Sequence, residues 1–297
     1  MATLLSRREF AIAAAAAAAA PGAGAQTPAL ITRAIASSGE HLPAVGLGTA
    51  EVFDSNDAAT RRTAAAVISA LLASGGTLID TASSYGDAEA VIGSVSAPAG
   101  LRSKLFVATK LEAPDEAELK QSLARLRTDK LDLLQLHNVS NPHQSLARFK
   151  EWKAQGICRY IGITSTFHGD FPAVAAVLGR EKPDFVQIDY SIDNRTAERR
   201  ILPLAAEVKA SVLTALPFGR ARLFRAVRGK ALPNWATGLA GSWAQFFLKY
   251  LLGDPRVTAV IPGTSDAAHM ADNLGAMRGA LPDAEQRRRM VKFVEAL

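Results

Sequence analysis

Residues 77–86 read TLIDTASSYG, residues 105–110 read LFVATK and residues 131–137 read LDLLQLH. Each is an apolar, strand-like run with polar groups at its end: Asp80 and then Tyr85, Lys110, and His137. A strand buried on both faces is apolar throughout, so a charge at its C-terminal end calls for another reason. Each run leads into a helical pattern. Successive strand–helix units with polar strand ends predict a (β/α) barrel whose active face gathers those ends. The four groups also make one chemical set: a phenol, an ammonium, a carboxylate and an imidazole.

The same alternation extends in both directions. Strands are expected over 44–49, 77–82, 105–110, 131–137, 160–165, 185–190, 212–218 and 257–263. Helices are expected between them over 56–74, 87–95, 115–127, 142–155, 170–178, 197–209 and 241–252, with 266–274 and 283–296 closing the chain. Strict alternation argues for parallel strands. Eight strand–helix units argue for a closed (β/α)8 TIM barrel, preceded by a short N-terminal hairpin within 29–43. The rival open, doubly wound sheet carries a GxGxxG turn after its first strand. Here Gly46-Leu47-Gly48-Thr49-Ala50-Glu51 lacks the third glycine.

The 297 residues include one cysteine, Cys158, so an intramolecular disulfide, a CxxC redox motif and a cysteine-based metal site are excluded. Between a helix end and an apolar strand, Cys158 reads as a small buried hydrophobe. The net charge of +6 is spread over short clusters at 61–62, 220–228 and 287–289. These read as solvated helix faces, and no nucleic-acid-binding motif accompanies them. No nucleic acid partner is expected.

Residues 1–25 carry Arg7-Arg8-Glu9-Phe10, an alanine run over 11–20, the break Pro21-Gly22 and the small-x-small site Ala23-Gly24-Ala25. A basic region, a short apolar region and a small-residue cleavage site make a secretory signal. Paired arginines with Phe10 two positions on resemble the twin-arginine type, a receptor-read address. The run is too short and too weakly apolar for stable membrane insertion. The expected organisation is a signal over 1–25 and a single barrel domain over 26–297. The expected partner is the twin-arginine export machinery, and the expected location is periplasmic or exported after cleavage near Ala25.

With these residues in view, the chain resembles the aldo-keto reductase family. The matching segments are GLGTA (46–50), DTASSYG (80–86), ATK (108–110), LLQLHN (133–138), IGITS (161–165), QIDYS (187–191), LPFGR (216–220) and IPGTS (261–265). The resemblance implies reversible reduction of aldehydes or ketones with a nicotinamide cofactor, and Asp80, Tyr85, Lys110 and His137 as the catalytic set. Hydride arriving at a carbonyl carbon leaves negative charge on oxygen, which a nearby proton donor stabilises. Tyr85 is expected to be that donor. Lys110 is expected to lower the phenol's pKa, Asp80 to hold Lys110, and His137 to orient the substrate oxygen.

The resemblance also places cofactor contacts at Ser165, Thr166, Gln187, Leu216, Phe218, Arg220, Gly263, Thr264, His269 and Asn273. Thr166 stands where the family usually has Asn. Ala215 stands where it usually has a stacking Tyr, with Tyr190 or Phe218 as substitutes. Gly263, Thr264 and His269 stand where it has Lys, Ser and Arg around the 2′-phosphate of NADP. NADP(H) is favoured, NAD(H) is possible, and Arg220, Arg222 or Arg225 could supply the missing charge. The strand-end amides and the helix N-terminus at Asp266 suit phosphate. Phe53, Phe167, Phe218 and Trp152 are candidate walls of an apolar substrate pocket. Two other readings stay open: a cofactor-sensing or interaction module on the same fold, and a non-redox lyase or isomerase using Tyr85 and Lys110.

Overall fold

A computed structural model describes residues 28–297, and the signal expected over 1–25 lies outside them. Strands β1 (Thr32–Ala34) and β2 (His41–Pro43) pair antiparallel as the expected hairpin. Eight parallel strands follow. They are β3 (Leu47–Gly48), β4 (Leu78–Asp80), β5 (Phe106–Leu111), β6 (Leu131–Leu136), β7 (Cys158–Ser165), β8 (Phe185–Asp189), β9 (Ser211–Ala215) and β10 (Ala259–Val260), hydrogen-bonded in sequence order. Backbone pairing of Val45 with Val260 and of Gly48 with Gly263 joins the first strand to the last and closes the barrel. A Cβ on Gly48 would lie 2.8 Å from the carbonyl oxygen of Ile261, so closure at this point requires glycine.

The helices surround the strands. They are α1 (Ala58–Ala73), α2 (Ala88–Ser96), α3 (Glu116–Leu126), α4 (Ala147–Ala154), α5 (Phe171–Glu181), α6 (Ile201–Val208), the short α7 (Arg222–Ala226), α8 (Trp243–Leu252), α9 (Ala267–Gly275) and α10 (Ala284–Glu295). Asp57, Asp115, Ser242, Asp266 and Asp283 cap five of them by accepting a backbone N–H. Each cap is worth about 1 kcal/mol.

The two largest departures from the expected boundaries are at helix starts. The helix read over 142–155 begins only at Ala147, because Asn141 accepts the backbone N–H of His143 and holds 141–143 as a turn. The helix read over 197–209 divides into a 3-10 turn, Thr196–Arg199, and α6. Pro203 explains the division, since it lacks an N–H and its ring would meet the carbonyl four residues back.

The core has two layers. Most buried side chains lie between sheet and helices. A smaller cluster fills the barrel interior: Ile35 and Leu42 from the hairpin, with Leu78, Phe106, Ala108, Leu133, Phe185, Leu213, Ala259 and others from the strands. Side chains alternate across a strand, so the next inward positions are Asp80, Lys110, Gln135, Gln187 and Ala215. Four of these five are polar, and all five are buried. An apolar plug thus ends in a polar layer at the C-terminal ends of the strands. Among the described residues no helix is long and apolar enough to cross a bilayer.

Candidate active site

The polar layer is one hydrogen-bonded unit. Lys110 Nζ donates to Asp80 Oδ2 at 2.7 Å and to the Thr81 carbonyl at 2.7 Å, with its side chain 1% exposed. Gln135 Nε2 lies 3.4 Å from Asp80 Oδ1 and donates to Gln187 Oε1 at 2.9 Å. Gln187 Nε2 reaches Asp80 Oδ2 at 3.3 Å. Burial pushes Lys110 down, but the Asp80 carboxylate and the Tyr85 phenol reverse it, and its pKa ends above the ordinary value. Lys110 is a permanent cation.

Tyr85 sits above this cation, with Lys110 Nζ 4.7 Å from its ring centroid. Its neighbour Gly86 has φ +49° and lies against the Asp54 backbone, so the turn that presents Tyr85 favours glycine. Lys110 does lower the phenol's pKa, as expected, but it does not win. Burial pushes it up, Lys110 opposes, and the net position is above the ordinary value. The phenol therefore holds its proton throughout the neutral range.

His137 stands edge-on to Tyr85, with ring centroids 5.7 Å apart and planes at 73°. Its Nδ1 contacts Glu112 Oε1 at 2.5 Å and Ser84 Oγ at 3.4 Å. Burial and then Lys110 push the imidazole's pKa down; Glu112 opposes, and the net shift is downward. Burial raises Glu112, while its bonds with Ser84 and His137 outweigh that and hold the carboxyl below its ordinary value.

A 740 Å³ cavity opens over these residues, within the range of small-molecule sites. Asp80, Tyr85, His137, Thr166, Gln187, Leu216, Phe218, Arg220 and Gly263 line it, joined by Ala50, Asp54, Ser84, Asn138 and Ala215. Its rim is conformationally unusual. Of the eight non-glycine residues with positive φ among the described residues, Glu51, Asn138, Leu216, Arg220 and Ala221 line this cavity. The other three, Arg127, Lys182 and Lys209, are left-handed helix C-caps. Backbone strain of this kind gathers at ligand sites.

Four of the expected cofactor contacts are absent from the lining of this cavity. Ser165 is fully buried, and its hydroxyl donates to Asp170 Oδ2 at 2.9 Å. Thr264 accepts the Asp266 backbone N–H through Oγ1 at 3.1 Å. Asn273 is buried, while His269 is exposed; none of these four lines the cavity. Asp266 itself occupies the α9 N-terminus, accepting from the N–H groups of Ala268 and His269, so that terminus already holds an anion. Tyr190 cannot replace a stacking aromatic, because it is buried among Glu198, Tyr250 and Arg287. Phe53 is core, Trp152 packs on Phe149 in the outer layer, and Phe167 and Phe218 do line the cavity. Arg222 is paired with Asp193 at 2.6 Å, which leaves Arg220 as the arginine that lines the cavity. Burial pushes the Cys158 thiol up to about 12, in keeping with a small hydrophobe.

The residues present fit a nicotinamide dinucleotide. Ala215, Gly48 and Gly263 bring almost no side chain to the cavity lining, which leaves room for a flat ring. Gln187 and Thr166 offer amide and hydroxyl groups at its edge, and Arg220 offers a cation at the mouth.

The sequence model of the aldo/keto reductase family matches residues 44–293. This chain belongs to the aldo/keto reductase family. The methylglyoxal reductase YeaE of Escherichia coli (strain K12) is 31% identical over 256 residues, covering 82% of this chain and 88% of that protein. An aldo-keto reductase from Klebsiella pneumoniae in complex with NADPH matches the fold with a TM-score of 0.76 at 25% identity, covering 89% of this chain and 96% of that one. A Klebsiella pneumoniae aldo/keto reductase in complex with NADP and acetate gives 0.73 at 26% identity, covering 86% and 93%. This aldo/keto reductase is an NAD(P)H-dependent oxidoreductase of carbonyl compounds.

Sequence reasoning missed Gln135, which bridges Asp80 and Gln187, and Glu112, which holds His137. Strand parity would have found both. Counting by twos from Phe106 reaches Lys110 and then Glu112, and counting from Leu133 reaches Gln135 and then His137.

Proposed function

We propose that this reductase converts small aldehydes and ketones to alcohols with Tyr85 as proton donor, using NADP(H) in preference to NAD(H). When bound, the reduced nicotinamide supplies hydride to the carbonyl carbon. Tyr85 O–H gives its proton to the oxygen as charge develops there. Lys110, held charged by Asp80, stabilises the phenolate that Tyr85 becomes and so draws the phenol's pKa down against the push of burial. His137 sits beside Tyr85, placed to contact the same oxygen. Thr166 and Gln187 would hold the cofactor's carboxamide. Leu216, Phe218 and Arg220 would follow its pyrophosphate, with Gly263, Thr264, His269 and Asn273 toward the adenosine. The observation that carries the reading is the Asp80–Lys110 pair at 2.7 Å beneath Tyr85, with His137 at its edge. NADP(H) is supported by the NADPH and NADP of the two Klebsiella proteins and by Arg220 at the cavity mouth.

The test is consumption of NADPH and NADH by purified protein with methylglyoxal, the substrate class named for the Escherichia coli relative. Expected is turnover with NADPH that exceeds turnover with NADH. Turnover of the carbonyl compound with no change in nicotinamide absorbance would favour a lyase or isomerase, and nucleotide binding without turnover would favour a sensing module.

Export is the second part of the proposal. Arg7, Arg8, Phe10, the alanine run and Ala23-Gly24-Ala25 support a twin-arginine signal that delivers folded protein to the periplasm, with its cofactor already bound. Replacing both arginines by lysine should leave the protein in the cytoplasm; continued export would sink this part.

A further inference from the structure

Glu112 follows Lys110 by two residues, just past the end of β5, and its carboxylate is the nearest partner of His137. A neutral imidazole has one N–H, and an ionised carboxylate only accepts. A neutral His137 next to Glu112 therefore carries its hydrogen on Nδ1. Nε2 then presents a lone pair, and it has no partner among the described residues. A carbonyl oxygen, which only accepts, finds no donor there. An alcohol hydroxyl, which can donate, does.

We propose that Glu112 is a positioning residue that fixes the His137 tautomer, so that the ring offers a hydrogen to a substrate carbonyl only when doubly protonated. The neutral ring accepts from an alcohol instead. This rests on the reading of the cavity as a carbonyl-reductase site. His137 transfers nothing net: hydride forms the new C–H bond, the C=O π pair moves to oxygen, and the Tyr85 proton closes the O–H bond. The ring's charge state decides which direction binds well. Lower pH favours carbonyl binding and higher pH favours alcohol binding. The charged and titratable groups facing the ring are Glu112 and Lys110 on β5 and its loop, Asp80 on β4, and Tyr85 on the loop after it. Ser84 and Asn138 beside it are neutral.

The experiment has two arms. Nitrogen NMR of isotope-labelled protein resolves the imidazole tautomers of its five histidines, with His137→Asn assigning the signal. Wild type should show Nδ1–H in the neutral ring, and Glu112→Ala should switch it to Nε2–H. Glu112→Gln removes the charge and should lower the His137 pKa by about one unit. In the kinetic arm, wild-type kcat/KM for reducing an uncharged aldehyde should fall about tenfold per pH unit above the pKa that NMR reports for His137. Glu112→Ala should abolish that limb and so reduce better than wild type at high pH. Glu112 is half exposed, so both variants should fold. An Nε2–H tautomer in wild type, or an unchanged pH limb in Glu112→Ala, would overturn the proposal. Absence of carbonyl reduction at every pH would overturn the functional reading alone, because the NMR tautomer still decides the role of Glu112.

Discussion

The two halves of the cavity are held in different ways. Glu112, half exposed, holds His137; the other polar groups around Tyr85 are buried and mutually bonded, Lys110 to Asp80 and Thr81, and Gln135 and Gln187 to Asp80. They stand on strands, in line with the core below. Around Arg220 the groups are exposed, on a loop where Leu216, Gly219, Arg220 and Ala221 all have positive φ. There the ion pair of Arg220 with Glu51 at 3.3 Å is solvated at both ends. One half is pre-organised for chemistry. The other is arranged so that a ligand must complete it. Substitutions in the first half should therefore alter rate or folding, and those in the second should alter affinity.

The sharpest break of this contrast is Tyr85→Phe. It removes one hydroxyl, so turnover should fall by about 10²–10⁴ while nucleotide binding, followed by fluorescence titration, stays as in wild type. An equal loss of nucleotide affinity would erase the division. Next is Lys110→Met. It leaves Asp80 buried without its cation, and unfolding free energy should drop by roughly 3–5 kcal/mol in a denaturant titration. A stable Lys110→Met protein would show that the polar layer is not one unit.

Arg220→Ala should weaken NADP(H) binding roughly tenfold with kcat unchanged, and the effect should shrink as salt rises. Insensitivity to salt would remove Arg220 from the anion's path. The smallest effect concerns the phenols. Burial raises the pKa of all four tyrosines: Tyr85, Tyr160, Tyr190 and Tyr250. A raised folded pKa means tighter proton binding in the native state. The resulting stability is complete below about pH 10 and is lost as pH climbs through the folded values. Phenolate absorbance of native protein should accordingly lag that of unfolded protein. Coincident titrations would mean that Tyr85 is wetter than its setting implies.

What the sequence disclosed follows the same division. Asp80, Lys110 and His137 were legible because a polar residue closing an apolar strand violates the burial rule, and regular strands place their ends predictably. The barrel itself was legible for the same reason. Gln135 and Glu112 escaped because one lies inside an apolar run and the other just past its end, and only face parity exposes them. The nucleotide half was read by resemblance. Ser165 and Thr264 satisfy local loop bonds, and Asp266 keeps the helix N-terminus that phosphate was expected to take. Loop geometry depends on such short-range competitions, which composition and periodicity do not record. The direction of the Tyr85 shift escaped for a related reason: sequence names the cation beside the phenol but not the burial that outweighs it.

Barrel closure has a consequence for the order in which the chain can fold. Val45 waits for Val260 and Gly48 for Gly263, while Ile31 donates to the carbonyl of Met277 and Arg278 reaches the carbonyl of Pro28. Almost the whole length of the chain must leave the ribosome before its first strand acquires both neighbours. Until then the β3 edge is an unpaired template, open to mispairing. The nascent barrel is thus exposed along β3 until β10 and Gly263 have been made, and the turn after α9 then secures the hairpin through Met277 and Arg278.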